Sequence, residues 1–156
     1  MFKFRQTHGF SALELIIVIS ILVILVGVTI WPLVSLRRRQ LLSGSTEQVI
    51  SLLTAARSRT LSALNGANYG VSLATNQLVL FQGASYPGTT LETLDLNGGV
   101  SLASINLSGG GSVIIFDKLT GKSDQSGTLV LRLDSDTSQT KTIKLEPTGI
   151  VYLLSS

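Results

Sequence analysis

Hydrophobic residues are concentrated in one long run near the start of this chain. Residues 15–34 contain no charged side chain, and these 20 residues match the length of helix that crosses a bilayer at about 1.5 Å per residue. A short leader precedes the run and carries the basic side chains Lys3 and Arg5. The pattern therefore predicts one membrane-spanning helix, followed by a globular part of the chain.

A second helical pattern follows the apolar run. Between Leu36 and Asn65 there is no proline, and apolar or small side chains recur every three or four residues, which is the period of an amphipathic helix. We predict one helix over residues 11–64, with Asn65-Gly66 as its C-terminal stop. Pro32 lies inside this helix and removes a backbone hydrogen bond, so a kink is expected there. The predicted apolar stripe consists of Val49, Leu53, Ala56, Thr60 and Leu64, widened by Ile50 and Leu61.

The period changes to that of β-strands from Tyr69 onward. Short or alternating apolar runs, separated by Gly, Pro and Asn, predict strands in this part of the chain. A long helix followed only by strands predicts an α+β fold, in which the helix packs on a C-terminal antiparallel β-sheet domain. The predicted strands cover residues 69–74, 78–82, 100–107, 113–116, 128–134, 141–146 and 150–154, whereas residues 91–97 are ambiguous.

The chain thus divides into four segments. Residues 1–9 form the leader, and residues 10–34 form the apolar half of the helix. Residues 35–68 form its amphipathic half, and residues 69–156 form a β-rich globular head. A head of this size is large enough for one modest hydrophobic core.

Composition argues against enzymatic chemistry. The chain has no cysteine and a single histidine, His8 in the leader, so the remainder lacks the usual nucleophile, general base and transition-metal ligands. Asp134 and Asp136 resemble the start of a calcium-binding loop, but Gln139 and Leu145 occupy the positions of its glycine and glutamate. We therefore expect no enzyme activity, no metal and no cofactor, and we predict a solvated hairpin turn at the two aspartates.

The dipeptide Gly9-Phe10 stands between the leader and the apolar run. A secretory signal peptide has the opposite order, because its cleavage site follows the apolar region. The basic leader, Gly9-Phe10, Glu14 and the apolar run together resemble the class III signal of type IV prepilins and type II secretion pseudopilins. The resemblance implies that a prepilin peptidase cuts between Gly9 and Phe10 and methylates the new N-terminal Phe10.

Glu14 is an ionisable residue at the start of the apolar run, and two interpretations fit it. In the family that the motif resembles, the glutamate at this position pairs with the terminal amine of a neighbouring subunit, here the amine of Phe10, and sets the register of assembly. Alternatively, Ser11 and Glu14 match the capping box S-x-x-E, in which both side chains bind free backbone N–H groups of the first turn. The two roles are compatible.

The C-terminal part is similar to one branch of the same superfamily, the GspH/FimT-type minor pseudopilins and pilins. The similar segments are A-A-R-S at residues 55–58, Y-G-V at 69–71, L-F at 80–81, I-F at 115–116 with Gly121, and T-G-I-V at 148–151. Together with the N-terminal motif, the resemblance covers nearly the whole chain.

This resemblance implies a minor structural subunit of a type II secretion or type IV pilus-like filament, inserted through its N-terminal helix. The expected partners are other pilin or pseudopilin subunits, the prepilin peptidase and the inner-membrane assembly platform. The expected location is the inner membrane, with a single span, a cytoplasmic N-terminus and an extracytoplasmic head, and then the filament. Two alternatives stay open: a DNA-uptake minor pilin of a competence pilus, and an unrelated membrane-anchored binding domain.

Arg37, Arg38 and Arg39 follow the apolar run, and their partner is left open between phospholipid headgroups, neighbouring subunits and DNA. Their position opposes the positive-inside rule, since the leader offers only Lys3 and Arg5 for the cytoplasmic side. Without those two residues, 10 of the 12 basic residues remain against 9 acidic ones. A nearly neutral chain is not the composition of a nucleic-acid binder, so nucleic acid is not an expected partner.

We predict cleavage between Gly9 and Phe10 and methylation of Phe10, because the cleavage dipeptide stands before the apolar run instead of after it. The mature protein should therefore lack residues 1–9 and retain the entire run. Intact-mass analysis of the protein from cells that contain a prepilin peptidase tests this. An uncut N-terminus, or a cut after residue 34, would contradict it.

Overall fold

The computed structural model describes residues 11–62, 66–96 and 98–154, with the backbone alone given for residues 28–35. Its first element is one helix, α1 (Ala12–Leu61), which is 50 residues long. The helix predicted over residues 11–64 is therefore confirmed in type and nearly in length. Leu64 and Asn65, at the predicted end of this helix, lie outside the described residues.

In the described part of the chain, eight strands follow α1. A sheet named A here has the strand order β3-β2-β1-β5, and a sheet named B has the order β4-β6-β7-β8. Neighbouring strands are antiparallel throughout both sheets. The helix and the two sheets confirm the predicted α+β fold. The strands are β1 (Tyr69–Leu73), β2 (Gln77–Gln82), β3 (Thr89–Asp95), β4 (Val100–Leu107), β5 (Val113–Phe116), β6 (Gly127–Leu133), β7 (Asp136–Leu145) and β8 (Val151–Leu154).

The hydrophobic core combines α1 with both sheets. The predicted stripe is confirmed at Val49, Leu53, Ala56 and Thr60, which are all fully buried, whereas Leu61 is 40% exposed. Val49, Leu53 and Ala56 belong to one cluster with buried residues of the strands, so the second half of the helix is part of the head. The cluster's fully buried strand residues are Val71, Leu78, Leu80, Ile114, Phe116, Leu129, Leu131, Ile143 and Leu145.

The chain divides into two compact units at the boundary between Arg37 and Arg38. The second unit contains the last 24 residues of α1, from Arg38 to Leu61, and both sheets. The helical assignment of α1 continues through Pro32, and the kink expected at Pro32 stays a prediction.

Two strands extend beyond what the sequence pattern predicts. β3 begins at Thr89 and includes most of the ambiguous residues 91–97. Six of its seven side chains are exposed, so its sequence shows no alternation of apolar and polar residues. β7 begins at Asp136 instead of residue 141, because its polar first half also pairs with β6. Thr140 lies opposite Arg132, and Asp136 lies opposite Leu133. In both cases backbone pairing, which leaves no hydrophobic signal, sets the length of the strand.

The C-terminal end of α1 is held by the loop between β5 and β6. The backbone N–H of Leu119 donates to the carbonyl of Thr60 at 3.3 Å, and the Nε of Arg57 donates to the carbonyl of Gly121 at 3.3 Å. Gly149 packs against the same carbonyl and against Arg57, so a Cβ atom there would collide with the Gly121 oxygen. The end of the helix, this loop and the β7–β8 turn are therefore in direct contact.

We predict that Leu53→Asp unfolds the head, because a buried and unpaired carboxylate costs several kcal/mol and a small domain has about 5–15 kcal/mol of stability in total. Ser51→Asp is the matched control, since Ser51 is exposed on the same helix. Thermal unfolding of a soluble segment that comprises residues 35–156 measures both. An unchanged cooperative transition for Leu53→Asp would mean that α1 does not pack on the sheets.

Gly149→Ala should destabilise the head by about 2 kcal/mol more than Gly110→Ala, which is in the usual range for a steric defect. Both glycines have a left-handed backbone, with φ of +78° and +72°, so the conformational strain of alanine is similar at the two positions. Only Gly149 lacks room for a Cβ atom; Gly110 has nothing within 4 Å. Equal losses of unfolding free energy in a denaturant titration would show that the contact with Gly121 does not affect the stability of the head.

Candidate assembly site

The candidate site predicted from the sequence begins at the first turn of α1. Ser11 is the N-cap residue: its hydroxyl oxygen accepts a hydrogen bond from the backbone N–H of Leu13 at 3.3 Å, and its carbonyl accepts one from Leu15 at 3.2 Å. Glu14 lies in this first turn, where the helix dipole favours a carboxylate. The predicted cleavage and methylation residues, Gly9 and Phe10, lie outside the described residues.

The predicted capping box is only half formed. The Ser11 hydroxyl binds a backbone N–H, but the Glu14 side chain is exposed, and its carboxylate has no hydrogen-bond or ion-pair partner among the described residues. Ser11 binds the second helical residue and caps the helix without help from Glu14. The carboxylate thus remains accessible to a group outside the described part of the chain.

The apolar side chains in the first half of α1 are exposed as far as the structure describes them. From Leu13 to Val26 the exposed fractions of the large apolar side chains range from 48% to 69%. Ser20 lies among them and donates its hydroxyl hydrogen to the carbonyl of Ile16 at 2.7 Å, so this polar group is satisfied within the helix.

Within the described residues, no helix meets the requirements of length and apolar character for crossing a bilayer. The span predicted for residues 15–34 stays a prediction.

Arg37, Arg38 and Arg39 are exposed on α1, and two of them, Arg38 and Arg39, influence Asp136 in the turn between β6 and β7. The hydroxyl and the backbone N–H of Ser138 donate hydrogen bonds to Asp136 Oδ1, at 2.6 and 3.1 Å. These hydrogen bonds lower the pKa of the Asp136 carboxyl. Burial opposes this effect, and the positive charges of Arg38 and Arg39 lower the pKa further by a smaller amount. The two arginines therefore favour the ionised form of the Asp136 carboxyl.

The hairpin turn predicted at Asp134 and Asp136 is confirmed. Leu133 pairs with Asp136 across the turn, and the Ser101 hydroxyl donates to Asp134 Oδ1 at 2.5 Å. Each aspartate thus accepts a hydrogen bond from a serine hydroxyl. Among the described residues there is no group of three or more His, Asp and Glu side chains that is placed to hold a metal ion.

Sequence analysis predicted a strand at residues 150–154, but it did not predict that β8 is an edge strand of sheet B with an exposed apolar surface. Tyr152, Leu153 and Leu154 are 38–41% exposed, and Ile150, which precedes the strand, is 47% exposed. The signal was present in the sequence, because consecutive apolar residues put apolar side chains on both faces of a strand. Such a run is typical of a strand that is covered on both faces, and the head does not cover this one.

Comparison with known proteins relates this architecture to filament subunits. No family model and no curated protein matches the chain. The crystal structure of the type IV minor pilin FimU of Pseudomonas aeruginosa is similar, with a TM-score of 0.58 and 15% sequence identity over 75% of this chain and 90% of that one. The chain has a type IV pilin-like fold.

A pseudopilin structure shares the same fold. The minor pseudopilin EpsH from the type II secretion system of Vibrio cholerae is similar with a TM-score of 0.56 and 16% identity, over 73% of this chain and 96% of that one. A second EpsH structure gives the same TM-score at 15% identity. The predicted pilin-like architecture is thus confirmed, whereas the assignment to the GspH/FimT branch stays a prediction.

Proposed function

We propose that the protein is a minor structural subunit of a pilus-like filament, either of a type II secretion system or of a type IV pilus. The helix inserts the subunit into the filament, and the head lies outside the cytoplasm. Processing by a prepilin peptidase between Gly9 and Phe10 precedes assembly on an inner-membrane platform. The pilin-like fold supports this proposal, and the properties of α1 give it a physical basis.

The observation that carries the proposal is the contrast between the two halves of α1. The second half buries Val49, Leu53 and Ala56 in a complete core, whereas the first half exposes apolar side chains on every face. An apolar helix exposed all round needs either lipid or other proteins as its surroundings. A subunit that is stored in a membrane and then packed into a filament core encounters both in turn.

Glu14 is the polar group that gives this apolar helix a specific partner. A carboxylate at the edge of a bilayer is costly unless it is paired, and an ionisable residue in such a segment is a functional candidate by default. The described residues provide no partner for it. We propose that the terminal amine of Phe10 in a neighbouring subunit is that partner, which fixes the axial register between the two helices.

The basic side chains of the head do not favour the DNA-uptake alternative. Arg57 donates to the Gly121 carbonyl, and Arg59 lies 3.8 Å from Glu92 in an ion pair. Lys118 reaches the Gly66 carbonyl at 3.4 Å. Phosphate binding scales with the number of basic groups that contact the backbone together, and these groups are engaged separately within the head.

Two substitutions test the role of Glu14. Glu14→Ala should leave insertion and processing intact but reduce incorporation into filaments at least about tenfold, because it leaves a neighbour's amine unpaired in an apolar environment. Ser11→Ala is the matched control: it removes the observed helix cap, worth about 1 kcal/mol, and leaves the carboxylate in place. The measurement is the fraction of the subunit in sheared filaments relative to the membrane fraction.

The expected result is a loss of incorporation for Glu14→Ala and a nearly normal level for Ser11→Ala. Equal losses for the two variants would show that the stability of the helix start explains the effect, and the pairing role would be wrong. A subunit that is absent from filaments even without substitution would contradict the proposed function itself.

A further inference from the structure

We propose that Arg37, Arg38 and Arg39 form a contact site for the phosphodiester headgroups of anionic phospholipids. The site holds this part of α1 at the membrane surface before the subunit enters a filament. This inference rests on the proposed function, because it requires that residues 15–34 lie in a membrane.

The first argument is the spacing of the three arginines along α1. Consecutive residues of an α-helix are separated by about 100° around its axis, so these side chains spread over roughly 200° of the circumference. Three side chains so far apart do not converge on one phosphate or follow one groove. They do reach several phosphates in a plane that surrounds the helix, which is the arrangement that a layer of lipid headgroups offers.

The second argument is the position of the arginines between apolar and folded surroundings. All three are exposed, as are the flanking Leu36 and Leu41, whereas Leu42 is buried in the core of the head. Along α1 the arginines therefore lie between the end of the predicted span and the first buried residue of the core. Guanidinium groups bind phosphate oxygens in a bidentate manner and keep their charge at every physiological pH.

The third argument is the chemistry of the β6–β7 hairpin. Its exposed residues Ser135 and Thr137 are uncharged and carry hydroxyl groups that suit phosphate oxygens, whereas the Ser138 hydroxyl donates to Asp136. The charges of Arg38 and Arg39 lower the pKa of the Asp136 carboxyl. It offsets part of their charge, so the site is basic on balance.

A headgroup layer fits these observations better than the other partners considered for the arginines. DNA needs a continuous basic track, but Arg57 and Arg59 of the same helix are engaged with Gly121 and Glu92. A single neighbouring subunit would approach α1 from one side and meet only part of the ring of charge. Anionic lipid surrounds the helix, and each arginine that contacts it should raise the preference for anionic lipid up to about fivefold.

The experiment uses the full chain in phosphatidylcholine bilayers that contain a trace of spin-labelled phosphatidylglycerol or, in parallel, spin-labelled phosphatidylcholine. Electron paramagnetic resonance separates the label immobilised at the protein from the label in bulk lipid. The ratio of the two immobilised fractions measures the preference for the anionic headgroup. We expect a ratio well above one that decreases as ionic strength rises, since exposed charges are screened by salt.

Three variants assign the preference to the site. Substitution of Arg37, Arg38 and Arg39 together by glutamine should bring the ratio to one. Asp136→Asn should raise the ratio, because it removes the opposing charge but keeps an oxygen that accepts the Ser138 hydrogen bonds. Arg59→Gln is the matched control: it removes one charge from the same helix, at a residue paired with Glu92, and should leave the ratio unchanged.

Each contrary outcome overturns a defined part of the proposal. Immobilised lipid without a preference for phosphatidylglycerol, or a preference that persists in the triple glutamine variant, overturns the headgroup site alone. Absence of immobilised lipid of either kind overturns the membrane anchor in the proposed function and the headgroup site with it. If inorganic phosphate abolishes the preference and chloride at equal ionic strength does not, the site binds soluble phosphate and the lipid assignment is wrong.

Discussion

The packing of the second half of α1 into the two sheets is the constraint on which the rest of this structure depends. Val49, Leu53 and Ala56 lose all their exposed surface to the core, and at about 25 cal/mol per Å² such burial is the main source of stability for a small domain. Neither sheet has another helix in the described residues to cover its inner face. Because the same helix continues toward the N-terminus, fixing its second half in the head also fixes where the exposed apolar half begins.

That continuity places exposed apolar side chains and buried core side chains on one helix. Along residues 11–27 the side chains face outward without a partner layer, and backbone hydrogen bonding within the helix, with Ser20 bonded to its own turn, leaves little that requires water. Between the two halves, three consecutive arginines mark the change of surroundings. These charges are exposed and lie outside the core of the head. The charges of Arg38 and Arg39 lower the pKa of the Asp136 carboxyl in the hairpin.

Much of this architecture was predictable from the sequence, because hydrophobic periodicity reports burial directly. The stripe through Leu53 and the alternation in β6 and β7 each required only a local pattern. The structure adds features that depend on pairing between strands. β3 is a strand although its side chains are mostly exposed, and β7 is longer than predicted because more of its residues pair with β6. The approach of Asp136 to Arg38, about a hundred residues apart in sequence, has no local signal. Likewise, the S-x-x-E pattern predicts two hydrogen bonds, and only the hydroxyl of Ser11 makes one.

The fold is shared with FimU and EpsH at only 15% and 16% identity, so it does not require one particular sequence. A core tolerates many apolar sequences that keep its volume and pattern, and an exposed apolar helix requires little beyond composition. Neither part therefore distinguishes one protein with this fold from another. In the proposed function, the positions that would do so lie outside the core: the carboxylate of Glu14, the three arginines of α1 and the exposed edge at β8. The fold alone does not specify a role, since a minor pilin and a minor pseudopilin share it.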